Sequence, residues 1–150
     1  MKTVRLVLVG FGNVGKAFVE LICNKKQELA DRYGFDLLIT GVATGHHGCA
    51  VNPVGIDPTR LLELAHDGGN YSILNTLPGI EDSHTMIEAC PGDVLLENSP
   101  VNHESGQPAI SHLKIGFENF FCDWGDDIRA LPTTSPAPLL FWHTHRWVLL

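Results

Sequence analysis

Long hydrophobic runs are missing from this chain. No segment approaches the roughly 18 consecutive apolar residues of a membrane-spanning helix. The mostly apolar start, Val4 to Val9, ends in glycines and not in a small-residue cleavage site. Basic runs are missing too. Ten Lys and Arg stand against 17 Asp and Glu, a formal charge of −7. Such a chain lacks the electrostatic footprint of a nucleic-acid or anionic-membrane binder. Cysteine is scarce: Cys23, Cys49, Cys90 and Cys122 contain no C-x-x-C pair. Their spacing suits neither a zinc site nor a disulfide framework, so they read as free thiols of a reducing compartment. Clustered metal ligands are also lacking. His46-His47 and His143-Thr-His145 have no carboxylate or cysteine at ligand spacing, so no metal is expected. The expectation is a cytoplasmic chain with no membrane and no nucleic-acid partner.

What is present is a core. Hydrophobic residues make up 44% and charged residues 18% of the 150 positions, which suits one globular domain. Val4 to Val9 reads as a buried parallel strand. After a glycine turn, apolar residues recur at Val14, Ala17, Phe18, Leu21, Ile22 and Leu29, a helical spacing that ends near Tyr33 with Gly34 as the stop. Leu37 to Val42 reads as a second buried strand, and residues 44–56 as a loop. Asp57-Pro58 is a helix start, with Asp as N-cap and Pro at the first helical position. A short helix is expected over Ser83 to Ala89, a third strand over Val94 to Glu97, and a helix from Gln107-Pro108 to about Lys114. The fold class is therefore α/β: a Rossmann-type dinucleotide-binding half-domain of three parallel strands with helices, over residues 1–115. Residues 116–150 read as an atypical, irregular C-terminal tail with no domain assigned. All three tryptophans lie there, no lysine does, and no strand is expected before the last few residues.

The glycine turn is the strongest chemical signal. Gly10, Gly12 and Gly15 form G-x-G-x-x-G between a strand and an amphipathic helix. Gly10 permits the tight turn, Gly12 the close approach of a pyrophosphate, and Gly15 close packing of the helix. The free N–H groups and dipole at the helix N-terminus attract phosphates. The competing reading is a purely structural turn. The second strand ends in Ala43-Thr44-Gly45-His46-His47, without the acid that binds a ribose 2′-hydroxyl in NAD-specific proteins. An acid would repel a 2′-phosphate, so its absence favours NADP, with NAD still open. The third strand delivers Glu97, Asn98 and Ser99 to its carboxyl end, where ligands bind in doubly wound sheets. Asn98 and Ser99 suit contact with ribose or nicotinamide. Asp82, Glu88 and Asp93 read as caps and solvated surface.

These segments together resemble the homoserine dehydrogenase family. The matching residues are VRLVLVGFGNVGKAFVEL at 4–21, RYG at 32–34, ITGVATG at 39–45, GIDPTRLLEL at 55–64 and DVLLENSPVNHESGQPAISHLK at 93–114. The resemblance implies a fold that binds NAD(P) and an intact enzyme that interconverts homoserine and aspartate semialdehyde, in threonine and methionine biosynthesis. It implies that Gly10, Phe11, Gly12, Asn13, Val14 and Gly15 form the pyrophosphate loop. Thr44 would sit at the ribose-recognition position, and Asn98, Ser99 and Pro100 beside the nicotinamide ribose. The departure begins after Lys114, where the family continues into a strand with a T-x-N-K-type motif and then a second, substrate-binding domain. Neither stands here, so no catalytic residue is assigned. A fourth strand, expected beyond the far side of the first to open the cofactor crevice, is missing from the pattern too. The homodimer implied for an intact enzyme would form through the second domain. The expectation is a truncation or frameshift near codon 115 and an inactive isolated chain. Two alternatives stand beside it: a stand-alone nucleotide-binding sensor module, and a non-functional product.

Overall fold

The computed structural model describes residues 1–120, 140–143 and 146–149, with side chains through residue 119. The DWGDD segment, the proline-rich stretch 131–138 and the side chains of Trp142, Trp147, His143 and His145 lie outside the described residues.

The chain opens with β1 (Lys2–Val9), α1 (Asn13–Tyr33) and β2 (Phe35–Thr44). Its middle holds β3 (Gly48–Val51), α2 (Pro58–Asp67), a 3₁₀ turn (Tyr71–Leu74), α3 (Ser83–Ala89) and β4 (Val94–Glu97). It continues into α4 (Ala109–Phe120), β5 (Leu140–His143) and β6 (Arg146–Leu149). The strands form one sheet in the order β3-β2-β1-β4-β6-β5. β1 runs parallel to β2 on one side and to β4 on the other. β3 is antiparallel to β2, β6 is parallel to β4, and β5 is antiparallel to β6.

Successive residues of a strand face opposite sides of the sheet. β1 uses this to build two cores. Leu6 and Leu8 pack with Val19 and Ile22 of α1 and Leu61 and Leu64 of α2. Val7 and Val9 pack on the other face with Met86 and Ile87 of α3 and Leu95 of β4. Burial on both faces explains the unbroken apolar run in β1. Each fully buried Leu or Val adds about 1.5–3 kcal/mol of hydrophobic stabilisation before entropy is counted.

Local chemistry sets the helix ends. Gly34 takes a left-handed φ of 70° and its N–H bonds the Ala30 carbonyl, closing α1. Asp57 accepts from the Thr59 N–H at 2.9 Å, Pro58 opens α2, and Gly68 ends it at a φ of 67°. Asp82 and Thr85 form a reciprocal capping box at α3.

Four expectations change. Residues 44–56 are not a simple loop: Gly48–Val51 pairs with β2 across a short turn at 45–47. The inward face of α1 is Gly15, Val19 and Ile22, whereas Val14 and Leu21 are 68% and 54% exposed. The helix expected to end near Lys114 runs to Phe120. There Gly116 lies so close to β4 that an added Cβ would sit 2.6 Å from Leu95 Cδ2. Lastly, no additional strand is needed beyond β1: β4 itself pairs there, so the strand order reverses direction between β2 and β4. Among the described residues no helix is long and apolar enough to cross a membrane.

Candidate dinucleotide site

Three chain segments meet at the carboxyl end of β1. The Gly10 N–H bonds the Ala43 carbonyl at the end of β2, at 2.8 Å. The Asn98 N–H bonds the Val9 carbonyl at 2.7 Å, which ties in the end of β4. Gly10 has a φ of 82°, and a Cβ built on it would lie 2.4–2.5 Å from the backbone of Asn98 and Ser99. Only glycine satisfies both the left-handed backbone and that approach. The turn after β1 thus sits at the point where the sheet reverses its winding, the place where crevices open in such sheets.

Gly12 has a different reason. It is the N-cap of α1 and makes no side-chain cap bond, since it has no side chain. An added Cβ would meet no protein atom within 4 Å. The α1 N-terminus therefore faces open space. Its first N–H groups have no intrahelical acceptor, and no acidic residue stands in the first turn. Asn13 and Val14 are exposed beside it. This cradle fits an anion brought close to the backbone. Gly15 packs inward, where a Cβ would lie 3.0 Å from the Gly10 carbonyl oxygen and from the Phe11 ring. It brings α1 close to the turn.

Phe11 is 5% exposed and stacks edge-on against Tyr71, with ring centroids 5.8 Å apart. Its side chain is a core prop beneath the turn, so any ligand contact it makes is through its backbone. Burial pushes the Tyr71 hydroxyl above its ordinary pKa. Thr44 ends β2, and its hydroxyl oxygen accepts from the His47 N–H at 2.9 Å, which shapes the turn to β3. The Tyr71 N–H holds the His47 carbonyl at 2.7 Å. Asn98 and Ser99 are half-buried and Pro100 is exposed at the end of β4. The structure thus brings Gly10, Gly12 and Gly15 to one edge of the sheet with Thr44, Asn98 and Ser99. Among the described residues no group of three or more His, Cys, Asp or Glu is gathered as a metal site.

Sequence reasoning missed two supports of this edge. One is Tyr71, whose ring is fixed between Phe11 and His47. The other is a buried polar chain. Glu97, 5% exposed, accepts from both the Ser99 N–H and the Ser99 hydroxyl. Its second oxygen lies 2.6 Å from His112 Nδ1, and His112 Nε2 lies 2.8 Å from the Ser83 hydroxyl. A signal was available in the acid ending an otherwise apolar strand, but its partner lies 15 residues on.

The chain is 30% identical over 142 residues to an NAD(+)-dependent homoserine dehydrogenase of Pseudomonas canavaninivorans, covering 93% of this chain and 37% of that protein. The chain is a homologue of homoserine dehydrogenases. A second such enzyme, from Methanocaldococcus jannaschii, is 27% identical over 114 residues, 76% of this chain and 33% of its own length. The chain thus spans about a third of the length of the curated homoserine dehydrogenases it matches. No family model matches it. In fold, it resembles the homoserine dehydrogenase of Thermoplasma acidophilum, with a TM-score of 0.61 and 19% identity over 79% of this chain and 33% of that one. It also resembles a hyperthermophilic archaeal homoserine dehydrogenase solved in complex with NADPH, with a TM-score of 0.57 and 19% identity over 77% of this chain and 33% of that one. The α/β architecture read from the sequence is the one these structures share.

Proposed function

We propose that residues 1–115 form the cofactor-binding unit of a homoserine dehydrogenase and hold NAD(P)H across the end of β1. The observation that carries this is the meeting of Gly10, Ala43 and Asn98 in front of an uncapped α1 N-terminus. Backbone N–H groups of Gly12, Asn13 and Val14 would hold the pyrophosphate, with Gly15 keeping the helix close. Phe11 contributes its backbone while its ring supports the turn. Thr44 would face the adenosine ribose, and Asn98, Ser99 and Pro100 the nicotinamide half. The end of β2 offers Thr44, Gly45, His46 and His47 and no acid, which supports NADP over NAD.

When bound, the dinucleotide would supply the hydride that separates homoserine from aspartate semialdehyde. The chain's own task is to bind and orient it. Residues beyond Lys114 include no lysine to stabilise a forming alkoxide, so the 150 residues alone are expected not to turn over homoserine. A fluorescence titration of NADPH with the full chain tests the reading, alongside a homoserine oxidation assay. Saturable binding of NADPH, tighter than that of NADH, with no turnover is expected. A folded chain that binds neither nucleotide would refute it.

A further inference from the structure

Glu97 is an unusual residue to end a buried strand. An ionised carboxylate is costly to bury unless several donors surround it. Here three do: the Ser99 N–H at 2.8 Å, the Ser99 hydroxyl, and His112 Nδ1 at 2.6 Å. Among the described residues no buried side-chain nitrogen or oxygen is left without a partner. Both Ser99 donors are therefore directed to Glu97, and His112 bridges the Glu97 carboxylate through Nδ1 and the Ser83 hydroxyl through Nε2, 2.8 Å away. The His84 ring stands 5.3 Å from that of His112. The chain of bonds thus runs from α3 through α4 to the turn after β4.

The consequence falls on Ser99. Its N–H and its hydroxyl proton both point at Glu97, so neither remains to donate to a ligand. Only the lone pairs of the hydroxyl oxygen remain. We propose that Glu97 is a positioning residue of the dinucleotide site: it turns Ser99 into an obligate hydrogen-bond acceptor at the crevice edge. Ser99 then selects a neutral donor, the hydroxyl or carboxamide N–H of the nicotinamide ribonucleoside half, and disfavours phosphate oxygens there. His112 holds the carboxylate in place. The inference rests on the cofactor reading above, and adds the polarity with which Ser99 meets the nicotinamide half and the residue that sets it.

The test compares two ligands on the full chain by calorimetric titration: NADPH, and adenosine bisphosphate carrying the 2′-phosphate, which lacks the nicotinamide half. Ser99→Ala is expected to weaken NADPH about tenfold and to leave the bisphosphate within about twofold, with the melting temperature nearly unchanged. Glu97→Leu is expected to weaken NADPH at least as much. Glu97→Gln should restore most of the affinity, because its carbonyl still accepts from Ser99 and its amide can donate to His112 Nδ1 when the ring proton sits on Nε2. Leu61→Ala, a buried site on the opposite face, serves as the control for lost stability and should leave both affinities unchanged below its melting temperature. Unchanged NADPH affinity in Ser99→Ala, or equal losses for both ligands, would overturn the inference alone. A wild-type chain that binds the bisphosphate but not NADPH would overturn it too. A wild-type chain that binds neither overturns the cofactor reading and this inference with it.

Discussion

Gly10 and Gly12 belong to one motif, yet the structure gives them opposite sensitivities. Gly10→Ala forces an L-residue to a φ of 82° and drives its Cβ to within 2.4–2.5 Å of the Asn98 and Ser99 backbone. The left-handed backbone alone costs about 1–2 kcal/mol. The clash is with main chain, which cannot rotate away, so separating β4 from the turn adds about 1–3 kcal/mol. The sum, about 2–5 kcal/mol, is a large part of the 5–15 kcal/mol typical of a domain. A loss of that size lowers the melting temperature on the order of 10 °C for a chain of this length. Gly12→Ala meets no atom within 4 Å and keeps a negative φ of −85°. As an N-cap change it costs less than about 1 kcal/mol. Its methyl instead fills the space in front of the α1 N–H groups, and NADPH affinity should fall about tenfold or more. Thermal unfolding followed by circular dichroism, with NADPH titration of the same samples, separates the two effects. A Gly10→Ala chain as stable as wild type would refute the close approach of β4 to the turn. A Gly12→Ala chain with full NADPH affinity would refute the path of the pyrophosphate over Gly12.

Other outcomes follow from the same geometry. Asp82→Ala removes the α3 capping box and should cost about 1 kcal/mol at neutral pH in chemical denaturation. Hydrogen bonds from Thr85, backbone first, hold the Asp82 carboxyl below its ordinary range. Its contribution is therefore full above that range and lost as pH falls through the lowered value, so wild type and variant should converge in strong acid. Burial pushes the Cys90 thiol up to about 11. About one thiol in a thousand is then ionised at pH 8, so mass-mapped alkylation should label exposed Cys23 long before Cys90. Leu61→Ala empties a fully buried site under α1 and α2, and should cost about 2–5 kcal/mol in denaturant unfolding.

The parts of the fold that were legible in the sequence are those set by local rules. The run Val4 to Val9, the stop at Gly34, the Asp57-Pro58 start and the short helix over Ser83 to Ala89 each depend on neighbours within a few residues. All four appear where expected. β3 was not legible, because Gly48–Val51 is too short to show a period and is fixed by pairing to β2 and by the Tyr71 bond to His47. Val14 fits the helical spacing, but the buried face of α1 is the stripe Gly15, Val19 and Ile22, and Val14 lies outside it and is exposed. The strand beyond the far side of β1 was sought in later sequence, whereas β4 takes that place; sequence order says little about sheet order. At the site, the tight turn at Gly10 could be derived from the motif. The state of Ser99 could not, since it depends on Glu97, and through Glu97 on His112 and Ser83, which only the folded chain brings together.

The most direct test of the dinucleotide site is an amide NMR titration of the isotope-labelled chain with NADPH. The account predicts the largest shifts at Gly12, Asn13 and Val14, with smaller ones at Thr44, Asn98 and Ser99. Amides at the far end of α1, from Lys25 to Tyr33, should stay in place. Shifts confined to that far end, or none in a chain whose spectrum is that of a folded protein, would contradict it.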